Sequence, residues 1–219
     1  SCHYFRSIEE INYSRNKLWV LTYSNGLFVL QDSIWTEYSR NTNHLIGRYY
    51  RDMLLTSDST CWVLSDSCIA YFDSYSWTNY SFINYGLNTD EYDPYKISAL
   101  NDSTVVGYFK FYPQGGIFIF DKHNLEIKFL EDYQNFRSSC IWAINFENAN
   151  TTWVSTYYGL HSYTNGEWDV FKYNGYGQIR PNSIDHKGIV WIGTHYDGVH
   201  ALDRSTSTWS HYTTETSEL

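Results

Sequence analysis

One phrase recurs along this chain at a nearly fixed step. Leu18-Trp19-Val20-Leu21-Thr22, Cys61-Trp62-Val63-Leu64-Ser65, Thr152-Trp153-Val154-Ser155-Thr156 and Val190-Trp191-Ile192-Gly193-Thr194 are copies of one strand-like segment. Thr104-Val105-Val106-Gly107-Tyr108 is a degenerate copy between the second and third of these. The central positions 19, 62, 105, 153 and 191 advance by about 43 residues on average. About seven residues after each centre comes a short apolar run: Gly26-Leu27-Phe28, Ile69-Ala70-Tyr71, Gly116-Ile117-Phe118, Gly159-Leu160-His161 and Gly198-Val199-His200. A third phrase ends four of the units, at Trp35, Trp77, Trp168 and Trp209, and Ile127-Lys128-Phe129-Leu130 replaces it in the third unit. Eight of the nine Trp stand on these two repeat positions, and only Trp142 does not, which chance placement does not produce.

With the apolar stretch that precedes each first phrase, every unit reads as four short strands, a to d. Turn residues such as Arg15-Asn16-Lys17 and Asp73-Ser74-Tyr75 separate them. Four antiparallel strands every 40-odd residues form the pattern of a β-propeller blade. The expected fold is therefore all-β, a single five-bladed β-propeller over residues 1–219, with approximate blades 1–43, 44–88, 89–132, 133–175 and 176–219. Each unit supplies its own four strands in order, so the first and last blades should meet through packed side chains. A lone blade cannot bury both of its faces, and large flat Trp side chains at matching positions would fill the space between neighbours.

The composition agrees, with aromatic residues at 20% against one Met and three Pro. Aromatic residues favour strands, and Ser, Asn and Asp favour turns. A net charge of −9 argues against a phosphate-tracking nucleic-acid binder and against a polybasic membrane-surface protein. No run approaches the roughly 18 apolar residues of a transmembrane segment. The four Cys lack metal-type spacing. A tight hairpin at Asp66-Ser67 would leave Cys61 roughly 13 Å from Cys68, too far for a disulfide. The Ser1-Cys2 start resembles the end of a bacterial lipoprotein signal, so a lipid anchor at Cys2 stands beside a plain chain boundary as a reading.

The phrases resemble the two-component regulator propeller repeat. Its pattern of an aliphatic residue, a polar turn, Leu-Trp-Ile-Gly-Thr and Gly-Leu is matched best by Ile184-Asp185-His186-Lys187-Gly188-Ile189-Val190-Trp191-Ile192-Gly193-Thr194 with Gly198-Val199. The resemblance covers nearly the whole chain and marks a fold rather than a catalytic centre. It implies an extracytoplasmic, periplasmic or cell-surface, ligand-binding or docking propeller of a bacterium. Sensor signalling is not implied, because five units are fewer than the sets typical of such sensors.

No P-loop, dinucleotide glycine fingerprint, HExxH or GxSxG is present, and no cofactor is assigned. His195 and His200 straddle the Asp197-Gly198 turn, and a metal there would require Asp197 or His161 as a third ligand. They are read instead as surface or inter-blade hydrogen-bonding groups, with no metal assigned. Asp90, Glu91 and Asp93 lack the spacing of an EF-hand loop and read as a solvated acidic loop. No two carboxylates can be placed at a glycosidase separation from sequence.

One asymmetry points to a binding face. In a propeller the b–c loops and the d-to-a connections share one face, and the a–b and c–d turns share the other. The first set carries Tyr23, Asn25, Arg48, Tyr50, Tyr108, Tyr112, Tyr157, Tyr158, His195, Tyr196 and Asp197, which are the candidate ligand-binding residues. Tyr combines an apolar body with a polar tip, which suits sugars and protein surfaces. The expectation is a monomeric, non-enzymatic binding module for a glycan or a partner protein. A propeller hydrolase or lyase acting on a glycan, or a structural component of a bacterial surface assembly, is the alternative.

Overall fold

A computed structural model describes residues 7–56, 60–88, 93–99, 103–109, 116–129, 141–148, 151–156, 159–164, 167–172, 179–185 and 187–217. Their regular secondary structure is almost entirely strand. The first sheet holds Ile8–Ser14, Lys17–Thr22, Gly26–Gln31 and Ile34–Tyr38 (β1 to β4), and the second Tyr50–Leu55, Cys61–Ser65, Cys68–Phe72 and Trp77–Ser81 (β5 to β8). The third holds Pro94–Ala99, Val105–Phe109, Gly116–Phe120 and Leu125–Phe129 (β9 to β12). The fourth holds Ile141–Asn148, Thr151–Thr156, Gly159–Thr164 and Glu167–Phe171 (β13 to β16), and the fifth Ile179–Ile184, Ile189–Thr194, Val199–Asp203 and Thr208–Tyr212 (β17 to β20). A 3-10 turn, Phe82–Tyr85, is the one helical element among the described residues.

Each sheet is made of four sequence-consecutive strands in meander order. The chain divides into two compact units, Ser1–Phe109 with Ile119–Glu126, and Lys110–Phe118 with Ile127–Leu219. The first two sheets and β9–β10 lie in the first unit, and the last two sheets lie in the second.

The strand chemistry explains the layering. In β6 every residue of Cys-Trp-Val-Leu-Ser is buried, and β2 is buried over Trp19 to Thr22. A strand covered on both faces reads as a continuous apolar run rather than an alternation. The outer strands β4, β16 and β20 alternate exposed and half-buried positions, as sheet edges do. Between the first and second sheets, Trp19, Leu21, Leu27 and Val29 pack with Leu45, Tyr50, Met53, Cys61, Val63, Ala70 and Phe72. Between the fourth and fifth, Trp153 and Leu160 pack with Val190, Ile192 and Leu202. Trp19 and Trp153 fill these layers, at 4% and 1% exposure, and Trp62, 0% exposed, meets Phe120 of the third sheet edge to face at 6.1 Å. Trp191 and the outer-strand Trp residues are only half-buried.

Register corrects one reading of the repeat. Trp19 pairs with Val29, Trp62 with Tyr71, Trp153 with Ser162 and Trp191 with Ala201. Cys68, not Ile69, therefore holds the place of Gly26, Gly159 and Gly198. Gly26 needs its hydrogen side chain, because at φ 97° a Cβ would stand 2.4 Å from the Tyr38 carbonyl oxygen. Arg15-Asn16 and Asp32-Ser33 all have positive φ, the hairpin geometry that matches strand twist. Cys61 and Cys68 are buried free thiols, in line with the separation read from the hairpin, while Cys2 and Cys140 lie outside the described residues. No helix among the described residues is long and apolar enough to cross a membrane.

Candidate functional site

The β2–β3 loop is fixed by the residue that ends β2. Thr22 Oγ1 donates to the Gly26 carbonyl at 2.8 Å and accepts the Asn25 N–H at 3.1 Å. Such a hydroxyl turn is the local alternative that Ser and Thr offer the backbone. Thr194 repeats it in the fifth sheet, donating to the Gly198 carbonyl and accepting the Asp197 N–H. Beside this loop Tyr23 is clamped by its backbone: its N–H reaches Ser7 O and its carbonyl accepts the Tyr50 N–H at 2.7 Å. The Tyr23 ring stacks on Tyr49 at 4.8 Å and 24°. The Arg51 guanidinium lies 5.4 Å and 6.0 Å from these two rings and is tied to Asp93 at 2.8 Å. Arg51 Nε is buried with no hydrogen-bond partner.

A cavity of about 170 Å³ opens next to this stack. Ser24 and Asn25 of the β2–β3 loop form one wall, and Ser39, Arg40, Asn41, Gly47, Arg48 and Tyr50 of the β4–β5 connection form the other. Ser39 organises that connection, with its hydroxyl on Glu37 at 2.6 Å and on the Asn41 N–H, and its carbonyl on the N–H groups of His44 and Leu45. The Arg48 N–H is fixed on Asp66 at 3.0 Å, which leaves its side chain exposed. Two guanidinium groups, two amides and hydroxyls around one hollow suit a polyhydroxyl or anionic ligand.

Asn25 and Arg48 lie in loop segments, where the sequence places them. Tyr50 and Tyr108 do not. Both were expected as exposed rings; Tyr50 is 1% exposed and Tyr108 2% exposed, because each lies inside a strand, β5 and β10. The Tyr50 hydroxyl still reaches the cavity, where it accepts the Arg40 N–H at 3.2 Å, and burial pushes its phenol up to about 12. Burial also raises the Tyr108 phenol. Tyr112, Tyr157 and Tyr158 lie outside the described residues. In the second unit His195 and Tyr196 stack at 4.1 Å and 6°, with Tyr196 80% exposed. Rings are not confined to this face: Tyr13, at the β1–β2 turn, is 71% exposed.

One grouping escaped the sequence reading, and a second was read with His195 in the place of His211. Glu10, Asp52 and Lys96 come from the first strands of three successive sheets. Lys96 Nζ donates to Asp52 Oδ1 at 2.9 Å, and the Ile97 N–H donates to Asp52 Oδ2 at 2.8 Å. Glu10 accepts the Met53 N–H at 3.1 Å and shares a hydrogen bond with the Asp52 side chain. Burial, together with the Glu10 bond, raises the Asp52 carboxyl to about 7 against the opposing charge of Lys96. The visible signal is an acid inside a strand that otherwise reads apolar. The second grouping is Asp197, His200 and His211, whose possible ligand atoms lie within 4.8 Å of one another. His195 is not part of it, and His161 bonds Thr156 Oγ1 at 3.0 Å instead.

No family pattern and no curated protein sequence matches the chain. Solved structures do. PorZ, described as an essential bacterial surface component of the type-IX secretion system of Porphyromonas gingivalis, is similar with a TM-score of 0.73 at 15% identity. That match covers 97% of this chain and 34% of PorZ. The extracellular domain of the hybrid two-component system BT3049 from B. thetaiotaomicron has a TM-score of 0.68 at 14% identity, covering 93% of this chain and 28% of that one. An ancestral GH74 enzyme has a TM-score of 0.69 at 12% identity, covering 96% and 31%. The chain thus spans about a third of the length of these structures. The likeness is one of fold.

Proposed function

We propose that this chain is a single five-bladed β-propeller domain, closed through packing of its first and last blades, and an extracytoplasmic binding module of a bacterium. Its ligand is a glycan or a partner protein, held at the face formed by the b–c loops and d-to-a connections. The carrying observation is the Tyr23–Tyr49 stack under Arg51, set beside the polar cavity of Asn25, Arg48 and the Tyr50 hydroxyl. Stacked rings give sugar faces and protein side chains a rigid platform, and the adjacent amides and guanidinium groups give direction. The fold likeness to surface and extracellular domains supports the location. The test is a glycan array and an envelope-extract capture with the purified chain, followed by recovery of the bound material. Ligand returned chemically unchanged after hours supports the module.

A second reading, a propeller hydrolase or lyase, draws on Asp52, whose buried carboxyl is raised to about 7 beside the Glu10 side chain, since a carboxyl that titrates near neutrality suits acid–base catalysis. Turnover that disappears in Asp52→Asn supports that reading and contradicts the first.

A further inference from the structure

We infer that Asp197, His200 and His211 form a binding site for a divalent transition-metal ion of the zinc type, independent of the ring-rich cavity in the first unit.

The register of the fifth sheet builds the site. His200 on β19 pairs with His211 on β20, so their side chains leave the same face of the sheet as direct cross-strand neighbours. The β18–β19 turn then carries Asp197 over the pair, held by its N–H on Thr194 Oγ1 at 2.9 Å. Both Nε2 atoms converge on this one residue. They lie 3.0 Å and 2.7 Å from its backbone oxygen, and 3.3 Å each from its two carboxylate oxygens. Ligands about 2.1 Å from a zinc-type ion stand roughly 3.0–3.4 Å apart along the edges of an octahedron or tetrahedron, which is the spacing of each Nε2 from the carboxylate, and all three ligand atoms lie within 4.8 Å of one another.

The repeat itself does not call for these residues. The matching cross-strand pairs are Phe28–Glu37, Ala70–Asn79 and His161–Val170 in the first, second and fourth sheets. Only the fifth sheet, among these, sets two imidazoles side by side, 4.0 Å apart with 11° between their planes. Two imidazoles and a carboxylate make three protein ligands and leave at least one position for water or a ligand atom.

Binding requires two adjustments. The rings must open from their near-parallel stack so that both Nε2 lone pairs meet the ion, and histidine χ2 is a broad torsion. His211, 41% exposed at its side chain, has room to turn, while buried His200 is the fixed half. Each neutral ring that donates from Nε2 to Asp197 must carry its proton on Nδ1 instead, so no net proton is released.

The experiment uses the full chain without an affinity tag. Zn²⁺ is titrated calorimetrically into metal-free protein, and Co²⁺ is titrated with its visible spectrum as a readout of coordination. One equivalent of each should bind, and His211→Ala should weaken binding at least roughly 100-fold while keeping the parent β-sheet spectrum. Asp197→Asn should weaken it by a smaller factor, and His195→Ala should leave it unchanged. His211 is chosen over buried His200 so that loss of binding is not loss of fold. Failure to bind one equivalent, or equal affinity in His211→Ala, overturns the site, as does equal loss in His195→Ala.

Discussion

The two compact units treat the Trp of the repeated phrase differently. In the second unit Trp153 Nε1 donates to Glu147 and Trp191 Nε1 donates to Asp185, each at 3.1 Å. In the first unit the Trp19 and Trp62 indole N–H groups are buried with no hydrogen-bond partner. The acid stands six residues before the Trp in the second unit, and Tyr13 and Thr56 stand there in the first. Acids in the first unit sit instead on the first strands, where Glu10 and Asp52 reach the backbone of the next sheet. In the second, Glu147 joins neighbouring sheets through two 2.6 Å bonds to Arg204, whose guanidinium lies 5.6 Å from the Trp153 ring. One repeat position thus tolerates two solutions, tight packing over an unsatisfied donor or a polar staple, and the difference is measurable.

Truncation of the buried indoles should cost most. Trp62→Ala and Trp153→Ala should each lose about 3–5 kcal/mol through the cavity left behind, and half-buried Trp191→Ala about 1–3, read from urea midpoints. Equal loss at all three positions would remove burial as the cause.

The pH dependence should run in opposite directions in the two units. The folded Asp52 carboxyl titrates near 7, above its unfolded value of 3.8, so its contribution is complete below about pH 4 and is lost as pH rises through 7. Burial lowers the His161 imidazole to about 4 from 6.5, so that contribution is complete above 6.5 and is lost as pH falls through 4. Each change is on the order of 3–4 kcal/mol. Asp52→Asn should flatten the fall with rising pH, and His161→Asn the loss towards acid. Stability curves of either variant that parallel the parent would contradict the assignment.

Smaller effects sharpen the contrast between staples. Arg204→Met should cost about 1–2 kcal/mol, since a bidentate pair only partly exposed leaves Glu147 short of a partner. Trp153→Phe should exceed Trp62→Phe by about 1 kcal/mol, because only the first removes a made hydrogen bond. Thermal melts of the three variants against the parent give both comparisons, and a larger loss from Trp62→Phe would reverse the packing argument.

The strands and their grouping into five sheets were legible because Trp marks the same register in four units and each strand is short. Asn25 and Arg48 were legible as loop residues. Tyr50 and Tyr108 were misjudged as loop residues: β5 begins three residues before Met53, and Tyr108 already closes the Thr104–Tyr108 phrase inside β10, so both rings are buried. The Glu10–Asp52–Lys96 cluster needs three strands more than 40 residues apart to meet, which no local pattern reveals. His211 joins Asp197 and His200 only through the β19–β20 register, so sequence proximity favoured His195 instead.

The central claim, a binding face on the first unit, is tested most directly by two double variants against whatever ligand the array or capture returns. Tyr23→Ala with Tyr49→Ala removes the stack beside the cavity. Tyr13→Ala with Ile34→Ala removes two side chains, 71% and 68% exposed, from the turns at the other end of the first sheet. Both are first matched to the parent in β-sheet spectrum and melting point. A ring at a binding hot spot contributes about 1–3 kcal/mol, so the first variant should lose affinity by roughly tens-fold or more and the second should keep it. Equal loss from both, or loss from the second alone, would contradict the claim.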